Sequence, residues 1–268
     1  MKEIDKKTLR NILIFSLIVL SCGWVGRLVD MKAGISDASG SLGQLIWLVS
    51  PLLAMIALRT FAGDGWRDLG IKPKIRKNIF LYFVSILFFP ISTLIILLLG
   101  HSLKLIDLSN MSSLYLTALG AAFLTSFVKN IFEEFAWRGY LAPKLFSLGY
   151  NRLLIHVYVG IIWAAWHIPY LLVLIDTTES MATFIPRMII GLIVLSIVYG
   201  EIRLMTNSVW PAVIMHTVGN AFVDTLILKK YLDIQEGFDY LVTPSPEGIF
   251  AIVIAAITGL WLYKRRKI

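Results

Sequence analysis

Eight long apolar runs limit what this chain can become. They cover residues 11–29, 42–60, 79–100, 114–141, 152–175, 184–205, 208–228 and 247–263, with short polar segments between them. Each is long enough to cross a hydrocarbon core of ~30 Å. Lipid offers no partner to a bare peptide group, so such runs must close their hydrogen bonds internally, as helices. The expected fold class is therefore all-α, a polytopic membrane helix bundle of about eight transmembrane helices. With 57% hydrophobic residues and a mean hydropathy of +0.77, the 268-residue chain carries more apolar surface than a soluble domain of this size needs. Pro51, Pro90, Pro169, Pro186 and Pro211 lie in or near the runs, where neighbouring helices can satisfy the freed carbonyls. No repeat or soluble domain is visible, and the one connection with some body, 63–78, is too short to fold alone. The expected organisation is 1–113 as three N-terminal helices with a cytoplasmic loop, 114–228 as a catalytic core, and 229–268 as a final helix.

The net charge of +8 is not a nucleic-acid footprint, because the positive residues cluster between apolar runs and act there as topology signals and lipid anchors. With the N-terminus inside, eighteen of the 25 Lys and Arg fall on inside segments and six outside, while Lys129 lies within a run. That bias predicts cytoplasmic termini, an acidic Asp176–Glu179 loop outside, and one local exception at Lys229-Lys230. The loop-poor chain points to a prokaryotic cell membrane. Cys22 is the only cysteine, so an intrachain disulfide is impossible. The first run continues past Cys22, which favours an uncleaved first span over a signal peptide.

Three polar insertions interrupt the apolar pattern. The first is Glu133-Glu134-Phe135-Ala136-Trp137-Arg138. Charge at membrane depth costs at least ~2.5–3.5 kcal/mol per residue on insertion scales, so it marks a partner or a water-filled cavity. Glu134 and Arg138 are four apart and share a helix face, with the acid N-terminal to the base. Glu133 points about 100° away and is left free for chemistry. The second insertion places Trp163 and His167 on one face, and the third does the same for His216 and Asn220, with Gly219 allowing close approach. A hydrolase needs this set: a base for water, a group to orient it, and donors for an oxyanion. Glu133, His167 and His216 would equally make a three-ligand site for a divalent metal such as zinc. Zincin, nucleophile-elbow and Walker patterns are absent, and His101 and His156 read as bystanders.

The order Glu-Glu-x-x-x-Arg, aromatic-x-x-x-His, His-x-x-x-Asn resembles the CPBP family of intramembrane proteases, which contains the CAAX prenyl endopeptidases and the bacteriocin-processing or immunity (Abi) proteins. Asp68-Leu69-Gly70 and Asn207-Ser208-Val209-Trp210-Pro211 also look like family features. Trp163 departs from the usual phenylalanine, which touches pocket shape rather than chemistry. The resemblance implies that Glu133 and His167 activate water, that His216 and Asn220 stabilise the oxyanion, and that Glu134 and Arg138, with Trp163, are structural or substrate-positioning. Metal use stays open, with no cofactor required by the sequence. The expected activity is hydrolysis of a peptide bond in a membrane-anchored, CAAX-like or leader-peptide substrate, from a chamber opening to the cytoplasmic side. Membrane lipid and that substrate are the expected partners. The alternatives are a non-proteolytic immunity or scaffold protein and, third, a proton-coupled transporter. Depth raises one difficulty: His167 lies ~22 Å from Arg152, but Glu133 only ~12 Å from Leu141 at ~1.5 Å per residue, so the fifth span must protrude or bend at Pro169 for the two to meet.

Overall fold

The polar residues between the apolar runs set the helix ends. The computed structural model describes residues 3–175, 177 and 179–265. Helix α1 is Glu3–Lys32. Ser41 then caps α2 (Leu42–Thr60) by accepting the Gln44 N–H at 2.9 Å, and α3 follows as Ile75–Ser102. Helix α4 (Leu114–Ala136) passes through a π turn, Trp137–Leu141, into α5 (Ala142–Ser147). Asn151 caps α6 (Arg152–Leu174). Ser180 caps α7 (Met181–Thr206), which stops at Asn207, a left-handed residue with φ 48°. Helix α8 (Trp210–Gly219) continues through a second π turn, Asn220–Asp224, into α9 (Thr225–Leu228). The chain closes with α10 (Asp239–Val242) and α11 (Ile249–Arg265). Side-chain oxygens at these starts satisfy amide donors that a helix leaves open.

The polytopic helical bundle is as expected from the sequence. Among the described residues, seven helices are long and apolar enough to cross a membrane, and the eighth expected span is α11, with 17 residues. The elements form two ends. At the terminal end Lys7 Nζ reaches the Gly63 carbonyl, Val209 N bonds to Gly70 O, and Arg152 Nη2 bonds to Tyr263 O at 2.8 Å. At the opposite, cap end Ile106 pairs with Ile234 in a two-residue antiparallel ladder, and Arg187 Nε bonds to Glu247 O at 3.1 Å. Segment 229–248 thus has the body that the sequence reading gave only to 63–78. It is held by a satellite cluster in which Leu226, Leu232 and Val242 pack on Ile96 and Ile106. Of the charges counted for topology, Lys2, Asp176, Arg266 and Lys267 lie outside the described residues.

The fourth span runs to Ser147 rather than 141. At ~1.5 Å per residue, Glu133 is then ~21 Å from that end, matching the ~22 Å of His167 from Arg152. Neither protrusion nor a break at Pro169 is needed, since α6 is continuous. Helix α8 starts deep instead: Thr206, Ser208 and Val209 are buried, beneath the 61–74 loop.

That loop grips the first π turn. Arg59 Nη2 donates to Gly139 O at 2.5 Å, and Arg203 Nε to Arg138 O at 3.0 Å. The same arginines hold the loop, Arg59 through Asp68 Oδ1 at 2.6 Å and Arg203 through Asp68 O at 2.7 Å. Lys144 adds contacts to Asp68 Oδ2 and Asp64 O, and Tyr140 donates to Asp64 Oδ2 at 2.6 Å. A π turn breaks the regular carbonyl ladder, and here two guanidinium groups meet its carbonyls. Gly70, at φ 77°, lies so close that a Cβ would stand 2.6 Å from Arg203 Nη2. The Asp68-Leu69-Gly70 element is therefore the hinge pin of the clamp.

Candidate active site

The two π turns flank the polar motifs, one directly after Glu133-Glu134 and the other beginning at Asn220. Such bulges recur at functional sites because they re-aim side chains without ending the helix. Glu134 is fully buried, and its Oε1 accepts from Arg138 Nη1 at 3.0 Å and from His216 Nδ1 at 2.9 Å. The shared face places Glu134 on Arg138, and the fold adds His216 to the same oxygen. The Arg138 guanidinium carbon lies 4.5 Å from the Trp163 ring centroid and 4.6 Å from that of Tyr199. Both rings present π density to a buried cation.

Glu133 is 1% exposed. Its Oε2 accepts from Trp163 Nε1 at 3.0 Å, while Oε1 has no hydrogen-bond partner among the described residues. Lys129 Nζ, one turn earlier, stands 3.8 Å from Oε1. Trp163 thus does more than fill space: its indole N–H restrains the free carboxylate, which phenylalanine would not do. This corrects the expectation that the departure at 163 concerns shape alone.

Each histidine has one nitrogen committed. A carboxylate or carbonyl oxygen can only accept, so His216 Nδ1 donates to Glu134 and His167 Nδ1 donates to Trp163 O at 2.8 Å. Both rings therefore keep Nε2 for a ligand, as acceptor when neutral and donor when charged. One indole separates the two functions, with the Trp163 ring 5.8 Å from the His167 ring and 5.3 Å from the His216 ring. Asn220 Nδ2 reaches Asn130 Oδ1 at 3.3 Å.

His167, His216, Asn220, Trp163 and Lys129 line one cavity of about 510 Å³. Glu133 joins its wall through Trp163 and Lys129 rather than lining it. The cavity runs past Leu171 and Phe184 to Glu179, Lys230, Asp239 and Glu247, all at the cap end. Among the described residues none from 61–74, 142–151 or 204–209 lines it. The cavity therefore extends from the polar motifs toward the cap end. The buried clamp fills the terminal end with the 61–74 loop.

Sequence reasoning missed Asn130, Lys129, Tyr199 and Asp224. Helical spacing contained a signal for most of them: Lys129 is four before Glu133, Asn130 four before Glu134, and Asp224 four after Asn220. His156 and His101 lie outside the site. His156 Nε2 meets Glu201 Oε1 at 2.9 Å, next to Arg152, in a second buried cluster, and His101 Nδ1 contacts Ile106 O at 3.2 Å.

Residues 113–222 match the family model of the type II CAAX prenyl endopeptidase Rce1-like proteins, which are part of the CPBP family. That stretch is similar to the core of CPBP proteins. The match takes in all three motifs and both π-turn starts, about two fifths of the sequence. No curated protein matches the chain. The seven apolar helices and this similarity fit an integral, multi-pass membrane protein, and the similarity supports a CAAX-type intramembrane endopeptidase in general terms.

Among the described residues, no group of three His, Cys, Asp or Glu side chains is arranged to hold a metal ion. The Trp163 ring lies against both imidazoles, 5.8 Å from that of His167 and 5.3 Å from that of His216, and its indole N–H holds Glu133 Oε2. In this arrangement the three do not fit a metal, and no step below is routed through one.

Proposed function

We propose that this protein is an intramembrane endopeptidase that hydrolyses a peptide bond of a membrane-anchored, CAAX-like or leader-peptide substrate by direct attack of water. Residues 114–228 form the catalytic core, with 1–113 supplying the Arg59 and Asp68 half of the clamp and 229–268 the cap and final helix. The observation that carries the reading is the convergence of His167, His216 and Asn220, and of Glu133 through Trp163, on one partly enclosed cavity. Glu133 Oε1 is the uncommitted carboxylate oxygen and serves as general base. His167 Nε2 orients the attacking water, and hydroxide adds to the scissile carbonyl as the proton passes to Glu133. His216 Nε2–H and Asn220 Nδ2 then face the tetrahedral oxyanion, which gains more from fixed donors than the planar carbonyl does. Glu134 accepts from His216 Nδ1 and fixes that ring, and Arg138 balances the carboxylate. Collapse returns the Glu133 proton to the leaving amine, so the base ends ionised.

A second reading has one observation in its favour: the Glu133 side chain is 1% exposed, as a purely structural buried acid would be. A non-proteolytic immunity or scaffold protein of the same family would use the cavity to bind a partner. Glu133→Gln separates the two. Peptide termini are compared in membranes carrying native or variant protein at equal abundance. The endopeptidase reading expects termini that fall ~10²–10⁴-fold with the loss of a general base. Identical termini with a preserved phenotype would leave the binding reading.

A further inference from the structure

We infer that Asn130 is a positioning residue for the reaction: it fixes the Asn220 carboxamide so that an N–H, and not the carbonyl oxygen, faces the oxyanion. The inference rests on the endopeptidase reading and adds a residue to it. Asn130 lies on α4, three residues before Glu133, and is fully buried. It stands behind the cavity wall rather than lining it, and so acts through Asn220 and not on substrate. Asparagine is a poor helix former, because its side chain competes for nearby backbone groups. A polar side chain at membrane depth is unfavourable as well. Asn130 commits its Oδ1 to another helix, accepting from Asn220 Nδ2 at 3.3 Å. Its own Nδ2 is buried with no hydrogen-bond partner among the described residues. The residue thus satisfies Asn220 while staying under-satisfied itself.

Asn220 needs such a partner. It opens the second π turn, lines the cavity and is half-buried. The backbone just before it is held, because Gly219 packs on α3 so closely that a Cβ would stand 2.6 Å from Phe89 Cε2. That contact leaves the carboxamide torsion free. The terminal torsion of asparagine is broad and two-fold, so an unrestrained amide turns either Nδ2 or Oδ1 to the cavity. Only one face is useful, since an oxyanion is stabilised by an N–H and repelled by a carbonyl oxygen. Asn220 Nδ2 carries two hydrogens. Asn130 Oδ1 takes one, and the second is left for the oxyanion beside His216 Nε2–H. Asn130 is also one helical turn before Glu134, the residue that holds His216, so both oxyanion donors are set from α4.

Steady-state cleavage of a fluorogenic, lipid-anchored CAAX peptide by the purified protein in detergent tests this. Asn130→Leu is close in size and removes both polar atoms, and Asn130→Ala repeats the test in case leucine misfits. The Asn130 variants should lose ~5–50-fold in kcat, less than the ~10²–10³-fold expected of Asn220→Ala, with KM within about twofold of native. In the Asn220→Ala background the same changes should matter by less than about twofold, because a residue that acts through Asn220 then has nothing to position. The melting temperature of Asn130→Leu should match or exceed that of the native protein. Leucine removes a buried donor that has no partner, while Asn220 faces a cavity that water can enter. Native turnover in the Asn130 variants, beside a crippled Glu133→Gln and Asn220→Ala, overturns the inference alone. An equal loss with and without the Asn220 side chain, or a loss that only tracks a lowered melting temperature, marks a structural residue and overturns it too. Cleavage indifferent to Glu133→Gln and Asn220→Ala would defeat the endopeptidase reading and the inference with it.

Discussion

Arg203 offers the sharpest test of how the site is built. Its Nε donates to Arg138 O at 3.0 Å and its Nη2 to Asp68 O at 2.7 Å, tying α7 to the first π turn and to the 61–74 loop together. Arg203→Ala leaves both carbonyls without that donor in a buried setting. A hydrogen bond to a charged group contributes ~1.5–3 kcal/mol, so the pair amounts to ~3–6 kcal/mol. Arg203→Lys keeps the charge but not the fork, and one ammonium can meet only one carbonyl well, so about half the loss should remain. Thermal unfolding followed by tryptophan fluorescence in detergent should show Arg203→Ala lowered on the order of 10 °C and the lysine variant between it and native. Asp68→Asn weakens the same clamp, so the double variant should lose less than the sum, with coupling of ~0.5–3 kcal/mol. Native-like melting of Arg203→Ala, or strict additivity with Asp68→Asn, would refute the clamp.

Trp163→Phe removes the indole N–H from Glu133 Oε2 and should lower kcat by roughly 10–100-fold, the equivalent of one hydrogen bond to a charged group, with KM little changed. An unchanged kcat in a reconstituted cleavage assay would place the base elsewhere. Asp68 carries a pH prediction. Burial would raise its carboxyl, but hydrogen bonds and charge from Arg59, and then Lys144, more than offset this and hold it below the usual carboxylate range. A depressed folded pKa means that its stabilisation is present above the unfolded value of ~3.9 and is lost as pH falls from there through the folded value. Melting temperature against pH should therefore show an acid limb that Asp68→Asn flattens. Glycines give a matched pair. A Cβ at Gly200 would stand 2.2 Å from His156 Nδ1, so Gly200→Ala should cost ~1–3 kcal/mol by displacing His156 from Glu201. Gly120 has open space around its Cβ position, and Gly120→Ala should stabilise α4 by ~0.5–1 kcal/mol in the same assay.

Apolar run length made the helices legible, because spanning a bilayer leaves little freedom in how backbone groups are satisfied. The i, i+4 spacing likewise foretold the Glu134–Arg138 contact, which depends only on one helix. What escaped the sequence depends on relations between helices. The π turn at 137–141 leaves no mark in hydropathy, yet it carries α4 on to Ser147 and removes the apparent mismatch in depth. His216 on Glu134, and Trp163 on Glu133, are meetings of residues 82 and 30 positions apart that no local pattern encodes. The direction in which the cavity runs escaped for a related reason. Charge counting orients ends, but only packing shows which end the clamp fills.

The plug and the opening belong to one design problem. A hydrolytic site in a bilayer needs charged groups held rigidly and water admitted from one side. Here the ionic restraints gather at the terminal side of the π turns, where Arg59, Arg203, Asp68 and Lys144 fix the backbone that follows Glu133-Glu134. The cap side is left with a cavity whose walls are apolar until the rim. Loosening the clamp should therefore move Glu134 and His216 together, since one carboxylate oxygen serves both Arg138 and His216. Disturbing the cap should instead change which segments gain access while the bonds of Glu133 and Glu134 stay in place. A clamp variant that altered substrate preference at unchanged turnover would contradict this division of labour.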